Sequence, residues 1–74
     1  MSKYKFKIYI ILKSGKEIEG FLISDNPSQI DMSQKIKELQ NYEFLSLTTE
    51  DRNNIIEVLK SEIAIYKIEV IKWL

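Results

Sequence analysis

Residues 3–13 alternate without a break. Tyr4, Phe6, Ile8, Ile10 and Leu12 fall on one side, and Lys3, Lys5, Lys7, Tyr9, Ile11 and Lys13 fall on the other. A period of two carried by aromatic and β-branched residues predicts a strand with one buried face. Ser14-Gly15 is a turn signal, and Lys16 to Ser24 predicts the return strand of a hairpin. Ile18 and Leu22 share the inner side of that strand with Gly20. A glycine inside a strand marks a bend or a bulge, as where a small barrel curls.

Asp25-Asn26-Pro27-Ser28 then interrupts the pattern. Proline suits the first turn of a helix, and Asn26 or Ser28 can cap it. The next stretch, Ile30 to Gln40, carries Met32, Ile36 and Leu39 as one apolar stripe, which predicts a short amphipathic helix ending at Asn41. Glu43 to Thr49 is β-rich. Ile55 to Leu59 and Ile65 to Trp73 predict two more strands, joined by a tight connection over Ser61 to Ala64. A rival reading starts from Thr48-Thr49-Glu50-Asp51, which can cap a helix carrying Ile55, Ile56, Leu59 and Ile63 on one side. The paired asparagines Asn53 and Asn54, between β-rich segments, favour a hairpin there.

The fold class expected is α+β: a small curled antiparallel sheet or an SH3-like or Sm-like barrel, in the order β-β-α-β-β-β. The expected core is Tyr4, Phe6, Ile8, Ile10, Leu12, Ile18, Leu22, Ile36, Leu39, Phe44, Leu47, Ile56, Val58, Ile68 and Val70.

Length and composition narrow the chemistry. Residues 1–74 make one domain. A chain this short buries only about 60% of its unfolded surface, so its core is thin. Cysteine and histidine are absent. That removes disulfides, a thiolate nucleophile, cysteine zinc sites, and the usual base near neutral pH. No cofactor or metal is expected, and the chain reads as non-enzymatic. Met1-Ser2-Lys3 leads into alternating lysines rather than an apolar block, and the run Ile8 to Leu12 is too short to span a bilayer. The expectation is a cytoplasmic protein with no membrane contact. Net charge is zero, yet every charge up to Lys16 is positive. Lysine far exceeds arginine, and isoleucine far exceeds valine and alanine, which points to an AT-rich genome such as that of a low-GC bacterium or its phage.

The stretch Ile10-Ile11-Leu12-Lys13-Ser14-Gly15-Lys16-Glu17-Ile18-Glu19-Gly20-Phe21-Leu22-Ile23-Ser24-Asp25-Asn26 resembles the first motif of Sm-like proteins. That motif has a strand, a lysine-x-glycine turn, a mid-strand glycine and a closing aspartate. The tail from Ile55 to Ile68 looks like the end of such small barrels, where a strand, a one-turn helix and a last strand follow closely. The whole order is similar to that of many short uncharacterised proteins of Gram-positive bacteria and their phages. The resemblance implies a small barrel. Lys60 is followed by Ser61 where Sm proteins carry a glycine, and no helix fits before Lys3, so the base-reading positions of that family are not carried over.

Four constellations bear on chemistry. Glu17 and Glu19 share a strand face, where cross-strand pairing with lysine is simpler than acid–base catalysis. Asp25, Asn26, Ser28 and Asp31 lack the alternation and glycine of a calcium loop and fit helix capping. Lys3, Lys5, Lys7 and Lys13, with Tyr9 among them, form a candidate nucleic-acid face, since lysines neutralise phosphates and an aromatic ring stacks a base. The same lysines also protect a terminal strand from edge aggregation. Finally, Phe21, Ile23, Ile71 and Trp73 alternate away from the core set and form a candidate protein interface. Together these predict a self-associating or protein-binding module. A nucleic-acid-binding small barrel and a small phage inhibitor of a host protein are the alternatives.

Overall fold

The alternating run at the front forms a strand with a neighbour on each side. The computed structural model describes residues 3–73, with side chains as far as residue 71. The elements are β1 (Tyr4–Leu12), β2 (Glu17–Ser24), α1 (Gln29–Lys37), β3 (Phe44–Thr48), β4 (Ile55–Leu59), a 3-10 turn (Lys60–Glu62) and β5 (Ile63–Trp73). The strands form one antiparallel sheet in the order β4-β3-β2-β1-β5. Residues 49–63 therefore form a hairpin and a short turn, not the rival helix. β4 and β5 are the two edges of the sheet, so it is open and not a closed barrel.

Two local signals behave as physics requires. Gly15 has φ 91°, a conformation glycine adopts at no steric cost, and its N–H donates to the Leu12 carbonyl at 2.8 Å to close the first hairpin. Ser28 caps α1: its Oγ accepts from Asp31 N at 3.2 Å. Asn26 Oδ1 accepts from Ser28 N at 2.9 Å, and Asn26 Nδ2 donates to Asp31 Oδ2 at 2.6 Å. The polar run that opens the helix is thus consumed by the helix start.

The helix ends at Lys37, earlier than the stripe alone predicts. Its free C-terminal carbonyls meet a distant cation. Lys60 Nζ donates to the Leu39 carbonyl at 3.1 Å and to the Lys37 carbonyl at 3.4 Å. A cation at this end also suits the helix dipole.

The core lies between one face of the sheet and α1. Phe6, Ile8 and Ile10 of β1 pack with Met32 and Ile36 of α1, Leu45 and Leu47 of β3, and Val58 of β4. Tyr4, Leu12, Ile18, Leu22, Leu39, Ile56, Ile68 and Val70 are partly buried against this cluster. Phe44 corrects the expected core. It is 52% exposed, because β3 pairs Leu45 with Val58 and Leu47 with Ile56. Partners in an antiparallel ladder share a face, and period two then turns Phe44 away.

At Gly20, where the pattern predicts a bend or bulge, the β1–β2 register is unbroken and the glycine instead marks a close approach. A Cβ added there would lie 2.6 Å from Leu47 Cβ and 2.8 Å from Leu47 Cδ1. Leu47 is itself completely buried, so it has nowhere to retreat. The gap between β2 and β3 is set by the missing side chain.

Two stability predictions follow from this packing. Gly20→Ala should cost about 1–3 kcal/mol in urea unfolding, the usual range for an overpacked core. An unchanged midpoint would show that β3 can move away freely. Ile8→Ala, at a site with no exposed surface, should cost about 2–5 kcal/mol. Against a total of roughly 5 kcal/mol for so small a domain, that leaves about 0–3 kcal/mol, so at the upper cost about half of the molecules are unfolded at room temperature.

Candidate interaction surfaces

The outer face of the sheet holds the lysine strand. Its neighbours come from both sides: Tyr9 lies opposite Glu19 of β2 and Lys67 of β5, and Lys7 lies opposite Phe21 of β2 and Glu69 of β5. Lys7 Nζ is 3.4 Å from Glu19 Oε2, and Lys3 Nζ is 3.3 Å from Asp25 Oδ1. Lys7, Tyr9, Glu19, Lys67 and Glu69 together line a shallow depression whose four charges cancel. Lys5 is placed differently: its ammonium sits 4.6 Å from the centre of the Phe21 ring, a cation–π contact. Lys13 lies at the first turn, where its N–H donates to the Glu62 carbonyl at 2.8 Å. A phosphate approaching Tyr9 would therefore meet two carboxylates as well as two lysines.

The four candidate interface residues meet different fates. Phe21 is on the outer face, as the alternation places it, but it is only 6% exposed. It is flanked by Lys7 of β1 and Thr48 of β3, with the Lys5 ammonium over its ring. Thr48 Oγ1 also donates to the Phe21 carbonyl at 3.2 Å. It is therefore a covered residue and not an exposed anchor. Ile23 and Ile71 are 37% and 41% exposed. Ile23 lies opposite Lys5, and Ile71 lies at an irregularity in the β1–β5 ladder, where Phe6 pairs with Val70 but Lys5 pairs with Lys72. That extra residue breaks the alternation counted from Val70, so the backbone of Trp73 pairs with that of Tyr4. The Trp73 side chain lies outside the described residues.

A further surface was not expected from the sequence. Leu22, Ile23 and Ser24 of β2 and Leu45 of β3 line a cleft of ≈250 Å³ with Met32, Lys35, Ile36 and Leu39 from the α1 side. It exists because β2 and β3 part after a single paired position. Nothing local in the sequence marks that parting.

No group of three or more acidic side chains among the described residues could hold a metal ion. No helix among them is long and apolar enough to cross a membrane. No family model matches the chain, and neither a curated protein nor a solved structure matches it.

The turn between β3 and β4 holds a carboxylate in its ionised form. Asp51 Oδ1 accepts from Thr49 Oγ1 at 2.5 Å and from Asn53 N at 3.0 Å. These bonds favour the ionised form and lower its pKa from the ordinary 3.8. A lowered folded-state value stabilises the turn above the unfolded pKa, and that contribution disappears as pH falls through the lowered value. The Asn53 amide resonance should therefore titrate below pH 3.8. Thr49→Val should move that midpoint upward toward the ordinary value. No movement would show that the hydroxyl does not hold the carboxylate.

Proposed function

We propose that this protein is a non-enzymatic interaction domain that associates with its own copies through the end of the sheet where Ile23 and Ile71 lie. The observation that carries the reading is their placement. They sit on the strands flanking β1, on either side of Lys5, and both keep over a third of their surface exposed. Away from this end, around Tyr9, the outer face carries balanced charge. β5 is also an edge strand of 11 residues, a ready template for pairing with another chain. Apolar residues beside a free edge are better covered by protein than by water.

The element order and the close approach of Leu47 at Gly20 support reading the sheet as an opened small barrel of the SH3-like or Sm-like kind. The carboxylates interleaved with the lysines favour a protein partner over nucleic acid, since Glu19 and Glu69 would repel a phosphate backbone.

Sedimentation equilibrium tests the proposal. The wild-type chain should show a mass above its 8.8 kDa monomer. Ile71→Lys, at a half-exposed site, should keep the circular dichroism spectrum and weaken association at least about tenfold, the effect of removing an apolar anchor. A wild-type monomer at millimolar concentration would overturn the reading.

A further inference from the structure

β2 and β3 are joined by one register position, Phe21 with Thr48. Continuing the antiparallel count, Leu22 would face Leu47, Ile23 would face Ser46 and Ser24 would face Leu45, yet none of these pairs forms. On its other side β2 is held throughout this stretch, with Leu22, Ile23 and Ser24 paired to Phe6, Lys5 and Tyr4. β3 is likewise held by β4 along its whole length. Two firmly seated strands therefore diverge, and the edges they turn toward each other have no ladder between them.

We propose that this cleft binds an extended segment of another protein, which adds to the β2 edge as a strand. The segment inserts an apolar side chain and places a carboxylate beside Lys35. Three features select that occupant. The Phe21 carbonyl turns toward β3, where it accepts from Thr48 Oγ1, so Ile23 two residues on turns its main-chain N–H and C=O the same way and offers both to a strand, the usual source of affinity when a peptide extends a sheet. The lining is apolar apart from Ser24 and Lys35, and at ≈250 Å³ the cleft falls below the range of about 300–1,000 Å³ typical of sites for whole small molecules. It suits a side chain or two. Lys35 is the only charged residue in the lining, and it makes no ion pair among the described residues. A carboxylate on the incoming segment would complement it.

The inference goes beyond self-association and stands without it. The test is a library of N-acetylated hexapeptides with randomised central positions, in one set ending in aspartate and one ending in lysine. Each set is panned against the immobilised full chain. The wild-type protein should enrich peptides with a large apolar centre, and should prefer the aspartate set by about threefold, as fits one exposed ion pair. Lys35→Glu should reverse that preference without loss of fold by circular dichroism. Bound peptides should shift the amide resonances of Leu22, Ile23, Ser24 and Leu45. Ile71→Lys should bind them equally well, which separates this site from the self-association surface. No apolar enrichment, an unreversed preference, or shifts confined to the outer face would each overturn the proposal.

Discussion

The architecture depends on the contact between Leu47 and the bare Cα of Gly20. β2 carries no side chain at that point, so β3 can approach closely enough for Leu47 to become fully buried. The β3–β4 hairpin is anchored there, and with it Leu45 and Val58, which complete the cluster around Ile8 and Ile36. Interiors pack like organic crystals, so even one methyl group at the closest point of approach is felt. A domain of this length has few other large contacts to absorb the strain.

The same contact explains why the outer face looks as it does. Where β1, β2 and β3 overlap, an outer-face side chain has neighbours on both sides, and Phe21 is covered by them. Two positions further on, β3 has departed, and Ile23 is flanked by β1 alone among its neighbouring strands. Residues of the same type on the same face thus differ sharply in exposure. The difference is made by the length of the β2–β3 ladder and not by hydropathy.

What was legible in the chain was local. The period of two from Tyr4 to Leu12, the Ser14-Gly15 turn and the Ser28 cap each depend on residues a few positions apart, and each forms as its chemistry dictates. What was not legible depended on register between distant segments. Glu69 beside Lys7 requires the β1–β5 pairing, and that pairing contains an irregularity which alternation counted along β5 cannot reveal. Lys60 on the end of α1 is equally remote, since nothing near Lys37 or Leu39 announces the cation that meets their carbonyls. Phe44 failed for a simpler reason: two residues three apart on one strand cannot both face the core, and burial of Leu47 decides against it.

The parting of β2 and β3 gives the molecule two mechanical units. One is the three-stranded β2-β1-β5 ribbon, paired along most of its length; the other is the β3–β4 hairpin. Main-chain hydrogen bonding barely joins them, so their relative position rests on side chains: Leu47 against Gly20, and Met32 and Ile36 of α1 packed in the same cluster as residues from both units. Apolar packing has no fixed direction, whereas a ladder fixes register residue by residue. The units can therefore hold a definite average arrangement while leaving strand edges open on one side of α1. A fully laddered sheet of the same strands would have closed that cleft. The helix seals only the inner side of the opening, leaving Ile23 and Lys35 at its rim among exposed residues.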